Sequence, residues 1–397
     1  MFERWIDICG KITPTRQSVL PERSVLLLGP RRSGKTTLLK KRFPTYTYTT
    51  LDDLDYLDWA RRDPKGFVQS LGKHALIDEI QRHPPVTIAI KYSIDEEQAH
   101  FIMTGSSAIG LLDATADSLA GRIVYRSLPT ACWGENVGPP VHRVFHDRAS
   151  PLLLKEAHRR LRLALKYGQF PEVLNHKNEE TRGAILRNYR NSYFTRDLMR
   201  ISNIENLDGI MALYHHLSRS IGSMLETSNF AREAGISFVT AKKYLNSLFQ
   251  SGLAFKVTGY QYGPAKRYVK AGKTYFSDIG IVESFGVDLS VGQRLENFVI
   301  AELEKRRRLG FLKSDGLHYY RSIGGREIDV ILETEDEVLA IEIKATTKPS
   351  KKDIRALKEF VSKTKKPVRR FMFYTGLNYE MIDNVLFVPV AALYRSR

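Results

Sequence analysis

The sequence has little cysteine and no long apolar run. Its 397 residues include only two cysteines, Cys9 and Cys132, which lie too far apart to indicate a disulfide framework or a zinc site. Such cysteine usage fits a reducing compartment, and we expect a cytoplasmic protein. The N-terminus lacks a secretory signal and the apolar runs are only as long as strands, so we expect no membrane partner.

Acidic residues are also in short supply. Aspartate and glutamate number 44 against 61 lysines and arginines, which gives a net charge of +17. A surplus of this size favours a polyanionic partner, and nucleic acid is the commonest soluble one. A generally basic, soluble surface is the alternative. The length exceeds that of one ordinary domain, and a hydrophobic content of 43% is enough for several buried cores.

A phosphate-binding motif follows an apolar run at Val25–Leu28. The loop GPRRSGKT fits the pattern GxxxxGK[ST], and a helix-forming run comes after it. Glycines let backbone N–H groups surround phosphates, Lys35 can neutralise the β- and γ-phosphates, and Thr36 offers a hydroxyl to Mg²⁺. We therefore predict ATP binding by Gly29, Pro30, Arg31, Arg32, Ser33, Gly34, Lys35, Thr36 and Thr37.

Two further apolar runs end in polar residues suited to the same site. HALIDEIQR ends its strand at Asp78 and Glu79, and HFIMTGSS ends at Thr104, Ser106 and Ser107. In a parallel sheet these strand ends share the edge of the phosphate loop. We predict that Asp78 holds Mg²⁺ and that Glu79 polarises the attacking water. A hydroxyl such as that of Thr104 can sense the γ-phosphate, although an ordinary helix cap is the alternative.

This order of motifs resembles the AAA+ division of P-loop ATPases. More narrowly, residues 1–135 are similar to the AAA_14 family, through GPRRSGKTTL, LIDEIQRHP, FIMTGSSA and LAGRIVYRSLP. The resemblance implies ATP hydrolysis with an arginine supplied in trans, and hence a ring-like homo-oligomer, hexameric by analogy. Arg122, just before the last strand, is the predicted finger, with Arg126 and Arg82 as alternatives.

The middle of the chain reads mostly as helix. Residues 136–150 contain Gly138, Pro139 and Pro140, and we predict a linker there. Helical patterns follow to about residue 225. We expect a helical lid and connector over 136–225.

Residues 226–272 predict a winged helix-turn-helix. A short helix over 230–234 meets a turn containing Gly235, and a second helix with apolar positions such as Val239 and Leu245 follows. A strand, a turn and another strand complete the pattern. Such modules contact DNA or pack against protein. We predict DNA contacts by Thr240, Lys242, Lys243, Lys266 and Arg267.

Two charged runs, 326–333 and 338–345, predict an antiparallel hairpin. Centring the polar turn between them places Asp329 opposite Glu342. Period-two alternation puts Ile328, Val330 and Leu332 together on the other face of their strand. Like charges across a hairpin weaken it, and a divalent cation between them would remove that penalty.

The hairpin resembles the PD-(D/E)xK nuclease fold. That resemblance implies Mg²⁺ chelation by Asp329 and Glu342, a catalytic Lys344, and a further carboxylate from Glu296 on the preceding helix. An inactive fold of the same type, with only a Glu342–Lys344 pair, is the alternative. Residues 348–370 carry ten lysines and arginines in a segment with helical periodicity. Residues 190–397 resemble the DUF4143 region that accompanies AAA_14 ATPases.

The sequence thus predicts a multidomain α/β protein: a P-loop sheet domain of the AAA+ type with a helical lid, a winged helix, and a restriction-endonuclease-like α/β domain over 273–397. The predicted function is ATP hydrolysis with Mg²⁺ by an oligomer that binds DNA, with metal-dependent cleavage as an extension. The alternative is a nucleotide-controlled assembly or signalling switch whose C-terminal domain binds protein and is catalytically inactive.

Overall fold

Two β-sheets organise the protein. The computed structural model describes residues 2–8, 23–106, 119–193, 207–260, 272–322, 324–362 and 364–397. Within these ranges, the first sheet has five strands and the second has eight. No helix in these ranges is long and apolar enough to cross a membrane.

All five strands of the first sheet are parallel, in the order β2-β3-β4-β1-β5. They are β1 (Ser24–Leu28), β2 (Thr47–Thr50), β3 (His74–Asp78), β4 (His100–Gly105) and β5 (Ile123–Ser127). Their apolar runs are nearly continuous because both faces of the sheet are buried. The carboxyl ends of β1, β3 and β4 therefore meet at one edge, and the predicted α/β sheet is confirmed.

Among the described residues, four helices cover this sheet: α1 (Lys35–Arg42), α2 (Leu54–Arg62), α3 (Pro64–Ser70) and α4 (Val86–Glu97). Asp53 caps α2 by accepting hydrogen bonds from the amides of Asp55 and Tyr56. Asp63 caps α3, whose first residue is Pro64, where the missing N–H costs nothing. Local sequence signals therefore set the starts of α2 and α3.

Six helices lie in the described residues of the middle of the chain, and those before residue 225 agree with the predicted helical pattern. They are α5 (Pro151–Tyr167), α6 (Pro171–Leu174), α7 (Glu179–Ser192), α8 (Leu207–Arg219), α9 (Thr227–Glu233) and α10 (Phe238–Gln250). Gly235, in the turn between α9 and α10, has a φ of 63°, which favours glycine. Val239 is 76% exposed, so its expected role as an apolar packing position of α10 is wrong.

Residues 136–150, the predicted linker, pack against the C-terminal part of the chain. Phe145 is buried and its ring contacts that of Phe371, with centroids 5.1 Å apart. The amide of Val144 donates to the carbonyl of Arg397 at 3.1 Å. This segment therefore belongs to a core rather than acting as a free tether.

The second sheet is mixed, in the order β12-β13-β11-β10-β9-β8-β6-β7. Its strands are β6 (Ala254–Gly259), β7 (Lys273–Phe276), β8 (His318–Arg321), β9 (Glu327–Glu333), β10 (Val338–Lys344), β11 (Val368–Tyr374), β12 (Glu380–Ile382) and β13 (Val385–Pro389). The helices of this part are α11 (Ile279–Ser284), α12 (Val291–Arg308) and α13 (Arg355–Glu359). Because β6 pairs with β8, the predicted boundary after residue 272 falls within one sheet.

Strands β9 and β10 form the predicted antiparallel hairpin in the predicted register, with Leu339 opposite Leu332. One expectation within it is wrong. Ile328 packs in a different core from Val330 and Leu332, because β9 carries an extra residue where its register against β8 shifts. This bulge lies beside Asp329.

The predicted basic helix over 348–370 is largely absent. Among the described residues of this segment, only the five of α13 form an α-helix, and β11 begins at Val368. Several cations of the segment bind within the chain: Lys358 pairs with Asp383 at 2.8 Å, and Arg370 donates to the carbonyl of Phe360 at 3.1 Å. These cations therefore serve packing as well as surface charge.

Candidate functional site

The phosphate loop joins β1 to α1, and two glycines are required by its backbone. A Cβ on Gly29 would lie 2.1 Å from the carbonyl oxygen of Leu128, which no side chain tolerates. Gly34 has a φ of 91°, a conformation that other residues avoid. The loop can therefore present backbone amides at the start of α1, as phosphate binding requires.

The ammonium of Lys35 lies within this loop. It donates to the carbonyls of Gly29, at 2.8 Å, and Pro30, at 3.2 Å. Burial lowers the pKa of Lys35, while the nearby carboxylates of Glu79 and Asp78 act in the opposite direction. The predicted cation and the two predicted acids are thus within electrostatic reach of one another.

Asp78 ends β3 and receives hydrogen bonds from three elements. Thr36, in α1, donates its hydroxyl to Oδ2 at 2.7 Å, and Tyr48, in β2, donates to the same oxygen at 3.1 Å. Thr104, at the end of β4, donates to Oδ1. Thr36 and Asp78, the two Mg²⁺ ligands predicted for the nucleotide site, are therefore in direct contact at this edge of the parallel sheet.

Glu79 follows in a left-handed conformation, with a φ of 57°. Such strain in a residue other than glycine is stored most often at functional sites. Its carboxylate accepts hydrogen bonds from Gln81 and, at 3.1 Å, from Ser106. Ser107 lies outside the described residues. The sequence did not single out Gln81, and its nearness in the chain to Glu79 was the only available signal.

The amides of the phosphate loop, Lys35, Thr36 and Asp78 together fit a nucleoside triphosphate with Mg²⁺. The hydroxyl Oγ of Ser33 is buried and has no hydrogen-bond partner among the described residues, which suits an additional phosphate contact. Oxygen ligands such as those of Thr36 and Asp78 are the kind that Mg²⁺ prefers. Thr37, also predicted as a loop contact, is exposed on α1.

Arg4 is a residue that sequence reasoning missed. Its buried guanidinium donates to the carbonyl of Ser33 at 2.5 Å, to the carbonyl of Pro129 at 2.8 Å, and to Glu135 at 2.9 Å. The phosphate loop is therefore fastened to the segment that follows β5. No motif surrounds Arg4, and only the fold reveals its role.

Helical residues of the middle region cover the phosphate loop. Arg32 pairs with Glu172 of α6 at 3.2 Å, and its guanidinium lies 5.9 Å from the ring centroid of Tyr189. A Cβ on Gly34 would lie 3.9 Å from the ring of Pro171. The start of α6 therefore lies directly beside the loop.

Arg122, the predicted finger, lies immediately before β5. It pairs with Asp95 of α4 at 2.5 Å, and its side chain is about a third exposed. The alternatives are also at the surface: Arg82 pairs with Asp52, and Arg126 is bonded to the carbonyl of Tyr125.

The predicted DNA contacts are only partly within the described chain. Lys242 and Lys243 are exposed on α10, and the Thr240 hydroxyl is 2.8 Å from that of Ser237, the N-cap. Lys266 and Arg267 of the predicted wing lie outside the described residues. Within the described residues, the predicted DNA contacts therefore all lie on helix α10.

A second group of acids surrounds Asp329. The Asp329 side chain accepts a hydrogen bond from the amide of Ile343 at 2.8 Å, and Glu342 pairs with Lys344 at 2.6 Å. The other carboxylate oxygen of Glu342, Oε2, is buried without a hydrogen-bond partner among the described residues. Burial and the charge of Asp329 raise the pKa of Glu342 to about 8.

Glu296, on α12, lies near the other side of Asp329. It accepts a hydrogen bond from the hydroxyl of Tyr275 at 2.7 Å, and burial together with Asp329 raises its pKa to about 7. Lys273 forms an ion pair with Glu327, two residues before Asp329. The charge of Asp329 therefore helps to raise the pKa of both Glu296 and Glu342.

The donors of this acidic cluster (Glu296, Glu327, Asp329 and Glu342) suit a hard divalent cation in kind. Within the described part of the chain, however, no three histidine, cysteine, aspartate or glutamate side chains are arranged to hold a metal ion. Hydrogen bonds and ion pairs within the chain engage the carboxylates instead. Among the described carboxylate oxygens of the cluster, only Oε2 of Glu342 is buried without a hydrogen-bond partner.

Comparison with known families agrees with the first site. Residues 21–137 match the AAA_14 model, an AAA domain. Residues 291–393 match DUF4143, a domain of unknown function, so the predicted order of the two is confirmed. The DUF4143 match is narrower than the predicted 190–397, because residues 158–291 match another domain of unknown function, DUF8612. The AAA domain supports nucleotide binding and ATPase activity.

Two similar whole proteins are described as uncharacterized. One from Mycobacterium tuberculosis is 26% identical over 346 residues, covering 82% of this chain and 71% of its own. One from Methanocaldococcus jannaschii is 24% identical over 336 residues, covering 81% and 74%. A solved signal-transduction ATPase with a tetratricopeptide repeat sensor, from Pyrococcus horikoshii, covers 71% of this chain and 42% of its own, at 12% identity and a TM-score of 0.23.

The raised pKa values of Glu296 and Glu342 predict a pH-dependent stability. Between about pH 4.5, where these groups ionise in the unfolded chain, and about pH 8, the folded protein binds more protons. The free energy of unfolding should therefore fall as pH rises through this window. Glu342→Gln should remove the contribution of Glu342 to this pH dependence, which is at most about 1.4 kcal/mol of unfolding free energy per pH unit. Urea unfolding at several pH values measures the difference.

The matched control is Glu335→Gln, an exposed acid in the β9–β10 turn. Its unfolding free energies should run parallel to those of wild type across the same window. If Glu342→Gln does so as well, burial does not hold a proton on Glu342.

Proposed function

We propose that the protein is an oligomeric ATPase that acts on DNA. The observation that carries the ATPase part is the meeting of Lys35, Thr36, Asp78 and Glu79 at one edge of a parallel sheet, with Thr36 bonded to Asp78 at 2.7 Å. The match of residues 21–137 to an AAA domain supports the same reaction.

The residues divide the reaction between them. The loop amides and Lys35 bind the phosphates, while Thr36 and Asp78 would hold Mg²⁺, which neutralises phosphate charge when bound. Glu79 orients the attacking water and accepts its proton. Because Gln81 and Ser106 both donate to the Glu79 carboxylate, they set its position before water binds.

Arg122 is our proposal for the arginine that a neighbouring copy supplies to the nucleotide site. The copies would form a ring, with six subunits by analogy with AAA+ ATPases. The support for Arg122 is its position at the surface, where its guanidinium pairs with Asp95 at 2.5 Å and donates to the carbonyl of Ala120 at 3.1 Å. A guanidinium brought to the γ-phosphate stabilises the charge of the transition state. The specific activity should then depend on protein concentration.

Two substitutions separate binding from chemistry. Lys35→Ala removes a phosphate-binding cation, and we expect the loss of ATP binding. Glu79→Gln keeps the shape but removes the base, and we expect ATP binding to persist while kcat falls by about 100-fold or more. Fluorescent-nucleotide binding and phosphate release with Mg²⁺ measure the two effects.

Lys41→Ala is the matched control, since Lys41 is exposed on the same helix. It should retain both properties. If Lys35→Ala binds and hydrolyses ATP as wild type does, the phosphate loop is not the nucleotide site.

The DNA part of the proposal depends on α10 and on charge. Lys242 and Lys243 are exposed on this helix, and the net charge is +17. Next to them, Phe238 and Val239 are more than half exposed, a mixture suited to a duplex surface. The alternative is a nucleotide-controlled assembly switch, in which the same surface binds protein.

DNA affinity measured as a function of salt separates these alternatives. Each lysine that contacts phosphate releases counterions, so the slope of log K against log salt should become shallower by about 1 to 2 in Lys242→Ala/Lys243→Ala. Arg61→Ala/Arg62→Ala, which removes the same charge from α2, should leave the slope unchanged. Absent or salt-independent binding in fluorescence anisotropy would favour the switch.

Metal-dependent cleavage of DNA is a second candidate activity, at Asp329, Glu342, Lys344 and Glu296. The observation that favours it is the oxygen Oε2 of Glu342, which is buried without a hydrogen-bond partner among the described residues, in a carboxyl group whose pKa burial and the charge of Asp329 raise to about 8. Asp329 and Glu342 would hold the metal, which activates water when bound. Lys344 would stabilise developing negative charge, and Glu296 would assist the same ion.

Nicking of supercoiled DNA in Mg²⁺ or Mn²⁺ tests this activity. Wild type should nick, and Asp329→Ala should lose at least about 100-fold of the rate because a ligand of the activating ion is gone. Asp336→Ala, in the exposed turn, should nick as wild type does. Equal nicking by wild type and Asp329→Ala would assign it to a contaminant.

A further inference from the structure

The peptide between Ser33 and Gly34 is held in one orientation by the guanidinium of Arg4. Nη1 of Arg4 donates to the carbonyl of Ser33 at 2.5 Å. A trans peptide is planar, so the C=O of Ser33 and the N–H of Gly34 point in opposite directions. Gly34 is the N-cap of α1, and the amides at a helix N-terminus are those that bind anions. The contact with Arg4 therefore turns the Gly34 N–H away from the guanidinium and leaves it available to a phosphate.

This peptide needs a restraint from outside the loop. Gly34 has a φ of 91°, and glycine adopts positive and negative φ about equally well. The peptide that precedes Gly34 can consequently rotate at little steric cost. Rotation would exchange the N–H for the carbonyl oxygen, whose partial negative charge would repel a phosphate. The hydrogen bond from Arg4 to the Ser33 carbonyl opposes that rotation.

Arg4 is itself fixed by acceptors on its other side. Nη2 donates to the carbonyl of Pro129 at 2.8 Å, and Nε donates to Glu135 at 2.9 Å. The carboxylate of Glu135 also accepts from the amides of Trp5 and Cys132. The side chains of Arg4 and Glu135 are 5% and 0% exposed, and their opposite charges compensate each other. The pair therefore acts on the loop through geometry rather than through net charge.

We propose that Arg4 is a positioning residue for nucleotide binding, which keeps the N–H of Gly34 directed at the phosphates. This inference rests on the proposed nucleotide site at the phosphate loop. Each of the three guanidinium nitrogens binds an acceptor within the chain, so Arg4 acts through the loop and does not touch the nucleotide. Loss of Arg4 weakens nucleotide binding and leaves the chemical step at Glu79 intact once the site is filled.

Two measurements on the full-length protein separate positioning from folding. Binding of a fluorescent ADP gives the dissociation constant and the number of sites, and phosphate release with Mg²⁺ gives KM and kcat for ATP. In Arg4→Met we expect the dissociation constant and KM to rise about tenfold or more, because a hydrogen bond from a charged donor is lost. The kcat at saturating ATP should remain close to that of wild type. A purely structural role would instead lower the number of sites and kcat together, at unchanged affinity.

Two further variants control for unpaired charge and for the loss of a buried guanidinium. Arg4→Met leaves Glu135 without its cation, whereas Arg4→Met/Glu135→Gln removes both charges. The double variant should fold, by circular dichroism, and should show the same weakened ADP binding. Arg370→Met removes a guanidinium that donates to the carbonyls of Leu357 and Phe360 in the C-terminal part of the chain. It should bind ADP as wild type does.

The outcomes distinguish this inference from the nucleotide site on which it rests. Weaker ADP binding by both Arg4 variants, with kcat retained, supports the positioning role. If both Arg4 variants bind ADP with the affinity of wild type while Lys35→Ala does not bind, the positioning role is wrong and the nucleotide site stands. If Lys35→Ala also binds ADP as wild type does, the nucleotide site is wrong as well.

Discussion

The hydrogen bonds that meet at Asp78 are the constraint on which the first site depends. Thr36 donates at 2.7 Å and Tyr48 at 3.1 Å, with Thr104 on the other oxygen, so one carboxylate fixes α1 and two strands relative to each other. Parallel strands make this possible, since their carboxyl ends share an edge. A single acid can then orient both the phosphate loop and the ion that accompanies a nucleotide.

The ATPase part is joined to the rest of the chain through buried charges rather than a flexible tether. Arg4 binds Ser33 of the phosphate loop and Glu135, and the amide of Trp133 donates to Glu302 of α12 at 2.8 Å. The segment after β5 is thus held from both sides. Helix α12 also carries Glu296, so the same rigid element touches this joint and the acidic cluster.

The sequence predicted what short-range patterns determine. The phosphate loop, the acids Asp78 and Glu79, and the β9–β10 register follow from motifs and period-two alternation. It could not predict Arg4 or Lys273, because their partners lie more than fifty residues away along the chain, at Glu135 and Glu327. The pattern of residues 348–370 predicted a solvated basic helix, but cations of this segment bind carbonyls and acids within the fold. The alternation rule also failed for Ile328, because a bulge that the sequence does not reveal moves this residue to another core.

ATP titration by calorimetry, with Mg²⁺ and with EDTA, is the most direct measurement of the central claim that Asp78 holds the cation of a bound nucleotide. We expect Mg²⁺ to strengthen ATP binding to wild type, and we expect this enhancement to disappear in Asp78→Asn, which keeps the side chain's shape but loses its charge. An equal enhancement by Mg²⁺ in both proteins would contradict it.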